Sequence, residues 1–66
     1  MKEIKCIDNK IATIGSRIAI SCFTTSNIII GTVVDIQDDF IMIVDSDENK
    51  IITLKDTIMF VTLLDK

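Results

Sequence analysis

The chain has 66 residues, 48% of them hydrophobic, a net charge of −3, two cysteines and no histidine. That length holds one domain, residues 1–66, and a domain this small buries only about 60% of its unfolded surface, which leaves a thin stability margin. Two thiols without an imidazole cannot close a four-ligand zinc site, and histidine-based acid–base catalysis is excluded. No apolar run approaches the roughly 20 residues needed to span a bilayer, and no leader segment is read at the start. A soluble, cytoplasmic protein with no membrane partner is therefore expected. Cys6 and Cys22 are then reduced thiols behaving as small hydrophobes, with a single Cys6–Cys22 bridge as the alternative.

In chain order, residues 1–14 carry two patterns at once. Ile4, Ile7, Ile11 and Ile14 are spaced as on one face of a helix. Asp8 or Asn9 could cap such a helix and Gly15 could end it in a left-handed conformation, so a short helix is predicted over 8–14. Yet Ile4 and Cys6 also alternate with Glu3 and Lys5, as in a strand. From Arg17 onward the period is two: Ile18, Ile20 and Cys22 face one way, Arg17, Ala19 and Ser21 the other. Thr24 to Asn27 reads as a turn. A long strand follows from Ile28 to Gln37 with Gly31 inside it, where a glycine marks a bulge or a sharp bend. After a turn at Asp38-Asp39, Phe40 to Val44 is a strand apolar on both faces. Ser46 to Asn49 is a turn, Ile51 to Leu54 a short strand, Lys55-Asp56-Thr57 a break, and Ile58 to Leu64 the last strand. Five short strands joined by tight turns predict an all-β fold, a strongly bent antiparallel sheet closed into a small barrel.

The charge is uneven. Residues 1–17 carry Lys2, Lys5, Lys10 and Arg17 against Glu3 and Asp8, whereas residues 18–66 carry three lysines against eight acids. An acidic barrel region argues against binding driven by a nucleic-acid backbone. The carboxylate clusters Asp38-Asp39 and Asp45-Asp47-Glu48 fall at turns, where Asp is favoured for hydrogen bonds to the backbone, so a turn role is preferred over a cation site. The last of these clusters lacks the glycine and distal glutamate of an EF-hand loop. Ser21, Ser26 and the threonines have no base beside them, Cys22 lies in an apolar strand, and no glycine-rich phosphate loop is present. The chain is read as non-catalytic, with no cofactor and no metal.

Several segments resemble the Sm-like family, which includes Hfq, the LSm proteins and short Sm-like proteins of spore-forming bacteria. Ile14-Gly15-Ser16-Arg17-Ile18 resembles the family's helix end and first strand. Ile29-Ile30-Gly31-Thr32-Val33, continued by Ile36 and Phe40 to Ile43, resembles the first Sm motif around its glycine. Leu54-Lys55-Asp56-Thr57-Ile58 is similar to the Hfq segment between strands four and five. The resemblance implies five strands in a bent barrel, an N-terminal helix and assembly into rings. It also implies an RNA pocket at Asp38 or Asp39 and Lys55. There the chain departs from the pattern: Met42 or a neighbouring Ile stands where an Asn is expected, and Asp56 sets a negative charge beside Lys55.

Two functions are carried forward. The first is an assembly or protein-interaction module that self-associates through Ile51, Ile52, Ile58, Met59, Phe60, Val61 and Leu63, its partner being itself or another protein. The second is a ring that binds single-stranded RNA through Asp38, Asp39 and Lys55, with Lys2, Lys5, Lys10 and Arg17 on one rim. An exposed last strand without charge or proline favours the first.

Overall fold

A computed structural model describes residues 2–64; the first residue and the last two of the expected domain lie outside the described residues. The strands are β1 (Ile4–Lys5), β2 (Ile11–Ala12), β3 (Arg17–Cys22), β4 (Ile28–Ile36), β5 (Phe40–Val44), β6 (Lys50–Leu54) and β7 (Ile58–Leu63), with one 3-10 turn, Lys55–Thr57, between the last two. They form a two-stranded antiparallel hairpin, β1–β2, and a five-stranded antiparallel sheet in the order β6-β5-β4-β3-β7.

The helix predicted over 8–14 is absent, and the hairpin stands in its place. Ile7, Asp8 and Asn9 make its three-residue loop: the Asn9 N–H donates to the Cys6 carbonyl at 3.1 Å and the Cys6 N–H to the Lys10 carbonyl at 2.9 Å. Asn9 takes the left-handed conformation this loop needs, with φ 67°, a role asparagine fills with little strain. The helical spacing of the isoleucines does not match their burial: Ile7, Ile11 and Ile14 are exposed, and it is Ile4, Cys6 and Ala12 that are buried. Gly15 keeps its expected left-handed conformation, φ 97°, but in a turn closed by the Ser16 N–H on the Thr13 carbonyl.

β3 alternates as expected, with Ile18, Ile20 and Cys22 buried. β4 is the pivot. Its first half pairs with β3, from Ser21 opposite Ile28 to Arg17 opposite Thr32. Its second half pairs with β5, from Thr32 opposite Val44 to Ile36 opposite Ile41. Gly31 sits where the two registers meet. A Cβ there would lie 2.7 Å from the Val44 carbonyl oxygen and 3.1 Å from its carbon, backbone atoms that cannot give way as a side-chain tip could. Two irregularities follow from the registers. Val34 is an extra residue opposite β5, and Met59 is an extra residue opposite β3, each a β-bulge.

The buried apolar side chains form one cluster, drawn from the hairpin (Ile4, Cys6, Ala12), β3, β4 (Val33, Ile36), β5 (Ile41, Ile43) and β7 (Val61). Each fully buried isoleucine contributes about 1.5–3 kcal/mol. Both cysteines are free and lie in this cluster. Burial pushes the Cys6 thiol up from its ordinary pKa, with the Asp8 carboxylate adding to the effect.

The expected closed barrel is not formed. β6 and β7 end the sheet on opposite sides, with no pairing between them. Backbone groups at the crossing are used locally instead. The Thr57 hydroxyl donates to the Leu54 carbonyl at 2.7 Å, and the Thr57 carbonyl accepts from the Phe23 N–H at 2.8 Å. The sheet therefore has two edges.

Candidate functional site

Three regions bear on function: the turn where the family resemblance implies an RNA pocket, a groove beside β7, and the two sheet edges. In the first, the Lys55 N–H donates to the Asp39 carbonyl at 2.9 Å, so the β4–β5 loop and the 3-10 turn are joined through their backbones. Asp38, Asp39 and Lys55 thus come from one neighbourhood. Their side chains do not form a closed pocket, however. Asp38 and Asp39 are exposed, and the Asp38 carboxylate accepts from the Lys2 ammonium at 3.3 Å. At such exposure an ion pair is worth about 0–1 kcal/mol.

Lys55 instead lines a groove of about 290 Å³ between β1 and β7, walled by Glu3, Lys5, Ile41, Met59 and Phe60 among others. Two cations and an aromatic ring share this groove. Sequence reading placed Lys5 on a rim and missed its convergence with Lys55, because that depends on where the N-terminal segment docks. The signal was the Asp8-Asn9 pair between two short apolar stretches, which is a hairpin signature.

The second carboxylate cluster is a structural turn. Asp45 Oδ1 accepts the backbone N–H groups of Asp47 and Asn49, each at 2.9 Å, and Oδ2 accepts from Asn49 Nδ2 at 3.3 Å. The Asn49 backbone bond, foremost among these, holds the Asp45 carboxyl below the usual carboxylate pKa. Glu48 completes the loop in a left-handed conformation, φ 64°.

The sheet edges carry the residues read as an interface. On β6, Ile52 and Leu54 are exposed and Ile51 is half-buried; on β7, Met59 and Phe60 are exposed, Ile58 and Leu63 half-buried, and Val61 belongs to the core. The bulge at Met59 accounts for two consecutive exposed residues where alternation would bury one. The outer face continues inward: Phe40 lies directly opposite Leu54, and Met42 opposite Ile52, so four apolar side chains occupy neighbouring positions on β5 and β6. Of the N-terminal segment, Ile4, Cys6 and Ala12 enter the core, while Ile7, Ile11 and Ile14 stay exposed.

The backbones of the two edges differ. Along β7, the Leu64 N–H bonds to the Arg17 carbonyl, so Leu64, Thr62 and Phe60 turn their backbone groups to β3, and Val61 and Leu63 turn theirs outward. The outward Val61 carbonyl accepts the Ile7 N–H at 2.8 Å. Along β6, the Lys55–Asp39 and Asp45–Asn49 bonds set the odd residues toward β5, so Lys50, Ile52 and Leu54 turn their backbone groups outward. Among the described residues, no strand lies beyond them. On the inner side of β6, Thr53 is only 6% exposed and its hydroxyl has no hydrogen-bond partner.

Comparison with known proteins gives no significant match to a family model, a curated protein or a solved structure. Among the described residues, no helix is long and apolar enough to cross a membrane.

Proposed function

We propose that this chain is a non-catalytic assembly module, Sm-like in character, that self-associates through its last strands. One observation carries the reading: both edges of the sheet, β6 and β7, are formed by apolar strands that do not pair with each other. A row of unpaired N–H and C=O groups beside exposed Ile52 and Leu54 is a template for another strand, and proteins that stay monomeric guard such rows with charge, proline or a covering segment. A long β4 that passes from β3 to β5 at Gly31, and a one-turn break before β7, support the Sm-like likeness. A cytoplasmic location fits two free, buried thiols. Light scattering over a range of concentrations tests the proposal. Mass that rises with concentration is the expected result, and a monomer throughout would overturn it.

A second reading, binding of single-stranded RNA, is favoured by the groove in which Lys5, Lys55 and Phe60 converge. An aromatic face stacks a base and cations track phosphates. Titration with a labelled poly-U oligonucleotide at low salt is the test. Binding that weakens steeply with salt and on Lys55→Ala would support this reading, and no binding at low salt would remove it.

A further inference from the structure

We infer that the interaction surface is the outward edge of β6 alone, and that its partner is β6 of a second copy, paired antiparallel about a two-fold axis through Ile52. The inference rests on the self-association proposed above and fixes its geometry. A head-to-tail contact would need the outward edge of β7 as well. That edge is already occupied where Ile7 donates to the Val61 carbonyl. The segment holding Ile7 is anchored on both sides, since Ile4, Cys6 and Ala12 are in the core. Uncovering Val61 would therefore expose core side chains. Among the described residues no strand pairs with the outer edge of β6, and Thr24 and Thr25 of the β3–β4 loop share only an open groove with it.

The β6 sequence fits itself. Lys50, Ile52 and Leu54 carry the outward backbone groups, and hydrogen-bonded pairs in an antiparallel ladder must join such residues. Centring the axis on Ile52 uses all three: Ile52 meets Ile52 of the second copy, and Lys50 meets Leu54 in both directions. On the outer face, Met42 and Ile52 of one copy then continue into Ile52 and Met42 of the other, a single apolar row across four strands. The charges at the two ends of β6 are mixed. Asp47 and Glu48 lie in the turn before the strand, and Lys55 and Asp56 follow it. Antiparallel pairing sets Lys50 two positions from Asp56 and Lys55 next to Glu48, and it also sets Glu48 opposite Asp56, so the fit rests on the backbone register and the apolar row. A two-fold contact is closed, so it stops at a dimer and leaves no free β6 edge to aggregate.

The register gives a direct test on the native chain. In a mixed sample of isotope-labelled and unlabelled protein at millimolar concentration, filtered nuclear Overhauser spectra report only contacts between copies. The expected cross-peak joins the Hα of Ile51 to the Hα of Thr53, the non-hydrogen-bonded neighbours of the central pair, in a particle of twice the monomer mass. Ile52→Lys sets two like charges face to face and is expected to raise the dimer dissociation constant more than tenfold. Ile28→Lys, an equally exposed isoleucine on another strand, is expected to leave it unchanged. Cross-peaks between β6 and β7 in a larger ring would overturn the two-fold geometry while sustaining self-association. A monomer at that concentration would overturn both.

Discussion

The two ends of the sheet solve the same problem differently. β6 and β7 are both short, apolar and paired on one side only, yet the N-terminal hairpin lends a backbone donor to β7, and among the described residues no strand pairs with the outer edge of β6. The difference shows that edge protection comes from tertiary placement as well as from strand composition. Met59 and Phe60 are as greasy as Ile52 and Leu54. What distinguishes the strands is the carbonyl of Val61, which already has a partner, and the backbone of Ile52, which faces outward with no strand beyond it among the described residues.

The comparison depends first on the pivot at Gly31, where β4 exchanges β3 for β5 as its partner. Gly31→Val would drive a side chain into the Val44 backbone, and a loss of about 3 kcal/mol is expected, in the upper range of overpacking and strain. A urea titration reads it, and a variant with the parent's midpoint would show that the close approach at Gly31 is not required. The edges themselves are separated by a pair of prolines. Ile7→Pro deletes the donor that caps Val61, whereas Ile52→Pro deletes an N–H that has no partner in the monomer, a place where edge strands tolerate proline. Ile7→Pro is expected to cost about 1 kcal/mol more than Ile52→Pro, the net value of one hydrogen bond. Equal losses, measured in dilute solution, would erase the distinction between guarded and bare edges.

A smaller effect sharpens the account of β6. The Thr53 hydroxyl is buried without a partner, so Thr53→Val should raise stability by about 1 kcal/mol by relieving an unpaired polar group. A lower unfolding midpoint would mean that the hydroxyl finds a partner in solution. The smallest effect lies in the turn that leads into β6. Asp45 has its folded pKa lowered, so its contribution is present above the ordinary carboxylate pKa and is lost as pH falls through the folded value. Amide exchange at Asp47 and Asn49 should accelerate, relative to the intrinsic rate, only at pH below the usual carboxylate range. Protection unchanged in acid would mean that the carboxylate does not hold the turn.

The five strands of the sheet were legible in the sequence because their signals are local: period-two alternation from Arg17 to Cys22, polar turns at 24–27, 38–39 and 46–49, and a glycine at the bend. The N-terminal hairpin was ambiguous because Ile4, Ile7, Ile11 and Ile14 satisfy a helical period while Ile4 and Cys6 satisfy a strand period; docking against the core decided between them. Closure of the sheet was not legible, since it depends on whether β6 and β7 meet after a bend whose angle no residue pattern specifies. The bulges at Val34 and Met59 likewise arise from long-range register. Of the candidate site, the nearness of Asp39 and Lys55 was visible through the family resemblance. The convergence of Lys5, Lys55 and Phe60, and the cap on Val61, required knowing where residues 2–12 pack.

Amide hydrogen exchange at low and at high protein concentration tests the contrast between the edges most directly. The Ile7 amide is expected to be protected at both concentrations, because its acceptor lies within the same chain. The Ile52 and Leu54 amides are expected to exchange freely in dilute protein and to become protected as concentration rises and β6 pairs with a second copy. Ile52 exchanging freely at every concentration, or Ile7 exchanging as fast as Ile52 in dilute protein, would contradict the picture of one guarded edge and one edge that recruits.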